Sequence, residues 1–247
     1  MALTKGDLRT LTRQLLGNRT SASITDAWYD ARVYSAYRRL CTFQGEVKAP
    51  GMRQPALRRL GFFELQDRNT RTISSVTPTL TGNSGNFITP LPATNVVTVV
   101  DLFDRTNNRG LDRRSLRELR TRDPDKTGRP RTWCPAGQGG TVGYYVNQIP
   151  TTIDTAIDAI DVYEWVYLYP AALATDATVP VIPDTWHIAI VHAAASEGAM
   201  LLDMPEKHGE MEGKFIAYIA ERKSPIEEAA HSGLAGARRF TPIGPRF

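Results

Sequence analysis

The sequence predicts an α+β protein: a helical bundle built from both ends of the chain, with an antiparallel β module, a small sandwich or barrel, inserted between them. Three observations carry that expectation. Apolar residues recur at helical spacing over 4–42 and again over 183–222. Between them, short runs of β-branched and aromatic residues alternate, separated by Gly-, Asn- and Pro-rich turns. Residues 1–44 and 183–231 are therefore expected to form the bundle, 45–182 the inserted module, and 232–247 an extended tail.

The first helix runs from Thr4 to Leu16. Thr4 is a cap with Asp7 three residues on, where a capping box places an acid, and Leu8, Leu11, Leu15 and Leu16 supply the apolar stripe. Gly17-Asn18 ends it, both residues being suited to left-handed backbone. The second helix is Ile24 to Thr42, ITDAWYDARVYSAYRRLCT, capped by Ser23 or Thr25. Its expected inner stripe is Ile24, Ala27, Trp28, Ala31, Tyr34, Ser35, Arg38 and Cys41, with Tyr37 and Leu40 beside it.

Gly45, Pro50, Gly51 and Pro55 then break helical continuity. Candidate strands follow at 62–66, 70–76, 87–91, 96–103, 131–134, 142–146 and 162–169, with one short helix expected over 112–120. The last strand places Val162, Glu164, Val166 and Leu168 on one face and Tyr163, Trp165, Tyr167 and Tyr169 on the other. An aromatic face of that kind is expected to pack against something large. Pro183-Asp184 opens a third strong helix to Leu202, with a stripe through Trp186, Ile190 and Ala199 or Met200. Its many Ala and Gly residues let another helix approach closely. Pro205 starts a fourth helix, to about Glu221, whose face is Met211, Phe215, Tyr218, Ile219 and Arg222.

The chain of 247 residues is long enough for a real core, and its 41% hydrophobic and 23% charged content is that of a folded protein. No apolar run suits a bilayer, and the N-terminus lacks a secretory core, so neither membrane insertion nor export is expected. Two cysteines, Cys41 and Cys134, make neither a disulfide framework nor a zinc site. The net charge of +4 is mild, but its distribution is uneven. The N-terminal helices are basic and the 197–228 segment is acidic, so the two suit pairing within a subunit or between neighbours.

No catalytic residues, metal ligands or cofactor-binding motif emerge. His187 and His192 are five apart on one helix without the HExxH pattern. Asp154, Asp158 and Asp161 lack the Gly and Glu of a calcium loop, and Gly137–Gly140 is not followed by the Lys of a phosphate loop. An enzyme is not expected. What remains is interaction chemistry. The Arg-rich segment 105–131, with Arg105, Arg113, Arg114, Arg117 and Arg120, suits nonspecific contact with DNA phosphates or an acidic partner. The tail is Gly/Pro-rich, and Leu234, Phe240, Ile243 and Phe247 are spaced anchors beside Arg238 and Arg239, as expected of a segment that docks on a partner.

The layout resembles the head-to-tail adaptor, or head-completion, proteins of tailed bacteriophages. The resemblance is carried by the N-terminal helix ending LLGNRT, the ITDAWYDARVYSAYRRLCT helix, the Gly-Arg-Pro-Arg-Thr-Trp run at 128–133 and the aromatic strand 162–169. It continues through Tyr169-Pro170, Ala172-Leu173 and Val181-Ile182-Pro183-Asp184 into Trp186 and Ala189-Ile190. The insert departs from the pattern in being long and Arg-rich. The resemblance implies a structural virion protein, assembled in the host cytoplasm, that forms a ring, usually dodecameric, between portal and tail. Its partners would be the portal protein, a tail, nozzle or stopper protein, further copies of itself, and genomic double-stranded DNA passing nonspecifically through the lumen. In that setting the tail residues Leu234, Arg238, Arg239, Phe240, Ile243 and Phe247 bind portal, and Trp28, Tyr34, Tyr37, Arg38 and Arg39 become subunit or lumen contacts. Two alternatives stay open: a nonspecific nucleic-acid-binding protein using 105–131, and a tail stopper or terminator.

Overall fold

The structure, a computed structural model, describes residues 2–47, 56–73, 87–90, 94–121, 128–138, 141–147 and 160–222. The tail expected at 232–247 and the turn at 82–85 lie outside these residues. Two compact units divide the chain, Met1–Leu65 with Pro170–Phe247, and Gln66–Tyr169.

The first unit is helical. Helix α1 spans Lys5–Leu15 and closes the capping box foreseen for it, with the Thr4 hydroxyl accepting from Asp7 N–H and the Asp7 carboxylate accepting from Thr4 N–H. Gly17 and Asn18 follow at φ 77° and 54°, the left-handed stop. Helix α2 spans Asp26–Cys41 with Thr25 as its cap. Its buried face is Tyr29, Val33, Ala36, Tyr37, Leu40 and Cys41, while Ala27, Ala31, Ser35 and Arg38 are exposed. The expected stripe is thus rotated by about one residue. The large apolar groups at 29, 33, 37 and 40 outcompete the small or polar 27, 31 and 35 for the interior, because burial stabilises in proportion to apolar area.

Helix α2 is followed by a hairpin that the sequence reading did not foresee, β1 (Gln44–Val47) paired antiparallel with β2 (Ala56–Arg59). A turn of 3₁₀ helix at Phe63–Leu65 then takes the place of the strand expected at 62–66. Two helices outside the β unit close the bundle, and one short helix, α3 (Leu116–Thr121), belongs to the β unit. Asp184–Trp186 form a 3₁₀ turn into α4, His187–Leu201, and α5 spans Pro205–Glu221.

Contacts at the helix ends fix the directions. Leu3 N–H donates to His187 at the start of α4, and Leu16 meets Gly198 at its end, so α1 and α4 run parallel. Trp28 also meets Gly198, while the Tyr37 hydroxyl accepts from Val181 N–H, so α2 runs antiparallel to α4. Tyr218 donates to Thr185 O, which makes α5 antiparallel as well. Helix α4 is the hub and is buried nearly all round, at Ala189, Ile190, Val191, Ala193, Ala194, Ala195, Ser196, Gly198 and Ala199. Its small residues admit close neighbours: a Cβ on Gly198 would lie 2.6 Å from Leu16 Cδ1. Of the two residues offered for the end of the inner stripe, Ala199 is fully buried and Met200 is 68% exposed.

The second unit is a β-sandwich rather than a barrel. One sheet orders β3 (Gln66–Ile73), β10 (Ile160–Leu168), β5 (Val96–Asp104) and β6 (Arg109–Gly110). The other orders β4 (Phe87–Ile88), β9 (Thr141–Asn147), β8 (Thr132–Gln138) and β7 (Asp112–Arg113), with β7 parallel to β8 and the other pairs antiparallel. Both sheets contribute to one core: Ile73, Val99, Leu102, Val162 and Val166 from the first, Ile88, Trp133, Tyr144 and Val146 from the second. Two register shifts in the β10–β5 pairing fall after Trp165 and after Tyr167. The residues skipped are Val100 and Val97 of β5, so alternation holds along β10: Val166 and Leu168 lie on the core side and Tyr167, also buried, lies on the opposite face.

Inside this core lies a charged group. Glu164 is fully buried and accepts from the Tyr144 hydroxyl and, at 3.2 Å, from Arg71 Nη1. Arg71 also donates to Thr89 O at 2.6 Å. Burial and the neighbouring carboxylate push the Tyr144 phenol well up, which keeps it a donor.

Candidate interaction surfaces

The five helix residues singled out from sequence fall into two groups. Tyr37 and Arg39 are committed inside the chain. Tyr37 is buried with its hydroxyl held by Val181 N–H at 3.0 Å. Arg39 grips the Glu212 carboxylate with both Nη atoms and stacks on Phe215 at 4.7 Å. Trp28 and Tyr34 are half-buried and Arg38 is exposed on the outer side of α2. Arg32 lies over the Trp28 ring at 5.7 Å and Arg38 over Tyr34 at 5.9 Å, so each aromatic presents a cation to solvent.

The Arg39–Glu212 pair is one contact between the basic N-terminal and acidic C-terminal segments. Glu212 also accepts from the Ser196 hydroxyl at 2.9 Å, and Ser196 lies 3.0 Å from His208 Nδ1. These residue types could suggest a catalytic triad, but the order is different. Serine sits between histidine and glutamate, whereas a general base must sit between nucleophile and acid. Ser196 is also fully buried. The network ties α2, α4 and α5 together.

At the start of α1, Arg9 joins two carboxylates, Asp30 at 3.2 Å and Asp176 at 2.5 Å, and Lys5 reaches Asp30 at 2.9 Å. The Asp176 carboxyl is held below its ordinary range chiefly by its bond to Arg9. A pocket of about 240 Å³ beside them is lined by Lys5, Asp30, Ala31, Tyr34, Ala172 and Leu173. Its two charged groups are spent on each other. Among the described residues no cluster of three His, Cys, Asp or Glu has metal-holding geometry, and Asp154 and Asp158 lie outside them. Neither Cys41 nor Cys134 is in a disulfide; both are buried, and burial pushes their thiols up. No helix among the described residues is long and apolar enough to cross a membrane.

Several arginines of the 105–131 segment are built into the sandwich. Arg109 pairs with the fully buried Asp104 at 3.5 Å, Arg129 donates to Asn107 Oδ1 at 2.7 Å, and Arg113 covers Trp133 at 5.4 Å. Arg105, Arg114 and Arg117 are exposed, and the Arg120 side chain lies outside the described residues. Arg105 stands over Tyr163 at 4.7 Å. Arg68, which sequence reading did not select, covers the same ring at 4.6 Å and Trp165 at 5.6 Å. Only the pairing of β3 with β10 brings it there, and single-sequence patterns do not carry that register.

A family model described as SU10 adaptor protein matches residues 4–240. The chain belongs to that family. No curated protein matches it. Membership gives the chain the role of a phage structural adaptor associated with portal and tail proteins, a role that calls for contact surfaces. The match runs through both units, so the sandwich is part of the adaptor rather than an unrelated insertion.

Proposed function

We propose that this SU10-family adaptor forms a homo-oligomeric ring between portal and tail in the virion, extending the DNA channel. The family match over residues 4–240 is the observation that carries this reading. The helical unit suits a ring wall. Arg39, Glu212 and Ser196 are bonded to one another within the chain, whereas Val179, Val181, Met200 and Leu201 are exposed apolar residues available to neighbouring copies. Trp28, Tyr34 and Arg38 are the helix residues best placed for subunit or lumen contact, and Tyr37 and Arg39 support them from within. Leu234, Arg238, Arg239, Phe240, Ile243 and Phe247 supply the portal contact, and exposed Arg114 and Arg117 border the path of DNA without reading its sequence.

Micrographs of the purified chain alone and mixed with purified portal test this. Rings stacked on portals are expected, and deletion of 232–247 abolishes stacking while leaving rings. A monomer that joins neither itself nor portal refutes the proposal.

A further inference from the structure

The outer face of the β3–β10–β5 sheet carries chemistry that the sandwich itself does not use. Strand register sets Arg68 beside Trp165 and Trp165 beside Asp101. In the next row Thr70 stands beside Tyr163 and Tyr163 beside Phe103. Val162, Glu164 and Val166 on β10 point into the core, so these rows face outward. Phe103 stacks on Tyr163 with ring centres 6.4 Å apart and planes inclined by 16°. Two guanidinium groups border that ring, Arg68 at 4.6 Å and Arg105 at 4.7 Å, and both residues are exposed.

The aromatic rings fix where these arginines lie and leave their N–H donors free. A ring face attracts the cation as a whole but accepts almost nothing from its planar fork. Neither guanidinium meets a carboxylate or a hydrogen-bond acceptor among the described residues. The acids of the face are otherwise occupied. Asp161 accepts from the Thr72 hydroxyl at 2.6 Å and Asp101 from Leu102 N–H at 2.9 Å. Two pre-positioned forks whose donors are unspent among the described residues, set beside half-buried Tyr163 and Trp165 over buried Phe103, have the composition of a protein-binding hot spot. The complement of such a fork is a carboxylate, bound through two parallel N–H bonds.

We propose that this face docks a carboxylate-bearing segment of a partner protein, with Arg68 and Arg105 gripping its acids and Tyr163 and Trp165 supplying contact area. Duplex DNA fits less well. Asp101 and Asp161 cancel the formal charge of the two arginines, and phosphate binding depends on net positive charge. The inference stands on this face alone and holds whether or not copies of the chain assemble.

The test is fluorescence anisotropy of a labelled ten-residue peptide of alternating glutamate and alanine, titrated with the full chain at physiological salt. The expected result is binding that weakens at least about tenfold in R68A/R105A, with an unchanged circular dichroism spectrum. The R68K/R105K variant, which keeps the charge and loses the fork, should recover only part of that loss. A labelled duplex should bind more weakly than the peptide and with little dependence on these residues. Absence of peptide binding, equal binding by the alanine or lysine pair, or tighter duplex binding lost in R68A/R105A would each overturn the proposal. None of these outcomes bears on whether rings form.

Discussion

The buried Glu164 makes the sharpest quantitative test of the sandwich. Its carboxylate has no access to water and depends on Arg71 and the Tyr144 hydroxyl. Replacing Arg71 with Met keeps the volume and removes the cation. The carboxylate then keeps the Tyr144 hydroxyl but loses the Arg71 cation, a situation that costs about 3–5 kcal/mol when the site cannot relax. The Arg71 side chain is 20% exposed, so water can partly replace it, and about 3 kcal/mol is the better figure. For a unit of this size that is a fall of roughly 12–20 °C in the melting temperature. The triple variant R71M/E164L/Y144F removes the carboxylate, the guanidinium and the phenol together and should return to within about 1 kcal/mol of wild type, because a buried ion pair and an apolar replacement are often close in stability. Trp133 reports the transition by fluorescence, since it is fully buried and packs edge-on against Tyr144 with ring centres 6.2 Å apart. Urea titration followed at that signal gives the comparison. A cost below about 1 kcal/mol for R71M, or a triple variant no more stable than the single one, refutes the claim that these three groups form one charge-compensated unit.

The helical unit gives three further expectations. A Cβ at Gly198 meets Leu16 Cδ1 at 2.6 Å and Trp28 at 3.2 Å, so G198A should destabilise by about 1–2 kcal/mol in thermal melts despite its better helix propensity, and no loss would contradict the packing. Gly209 and Gly213 in α5 have nothing within 4 Å of a built Cβ, so G209A and G213A should each stabilise by about 0.5–1 kcal/mol in the same assay. His187 accepts from Leu3 N–H at Nδ1 and therefore donates from Nε2 to Ile182 O, which requires the neutral ring; burial lowers its pKa, and that of His192. The unfolded chain then binds more protons in mild acid, so stability is full above about pH 6.5 and declines as pH falls below it, by at most ~1.4 kcal/mol per pH unit for each histidine. Urea midpoints from pH 8 to 5 measure the decline, and H187Q should flatten it; a pH-independent midpoint would show that neither ring is held neutral.

Local chemistry was the most legible part of the chain. The Thr4–Asp7 box, the Gly17-Asn18 stop, the Thr25 cap and the proline start of α5 each depend on two or three adjacent residues, and all four occur. Faces were harder. In α2 the pattern admits two overlapping stripes, and the choice is made by its neighbours: Tyr29 packs with Ala199 of α4, and the Tyr37 hydroxyl is held by Val181 N–H. The β1–β2 hairpin is hidden by the prolines and glycines of its connecting residues, which mark a break without saying that the flanks pair. The buried Glu164 reads as an ordinary alternating strand residue until Tyr144 and Arg71 are brought to it from distant strands. The same holds for the outer sheet face. The aromatic alternation of 162–169 was visible, but not that Arg68 and Arg105, from separate segments, stand over Tyr163.

The two units differ in the surfaces they offer, and the difference bears on the order in which an adaptor makes its contacts. In the helical unit the large exposed groups include Val179, Val181, Met200 and Leu201, while Arg9 and Arg39 are already bound to carboxylates of the same chain. Apolar surface with its charges satisfied suits permanent association between copies, since obligate interfaces resemble a divided core. The sandwich presents the opposite: rings roofed by arginines whose donors are unspent. Such a surface is stable in water by itself and gains by meeting an acidic partner, the pattern of components that exist apart before they join. On this reasoning, raising salt should weaken contacts made by the sandwich well before those made between helical units. The charge-dependent contacts are screened within a Debye length of about 8 Å at physiological salt, and apolar burial is not. An adaptor whose self-assembly dissociated first as salt rose, while its acidic partner stayed bound, would reverse the assignment of the two surfaces.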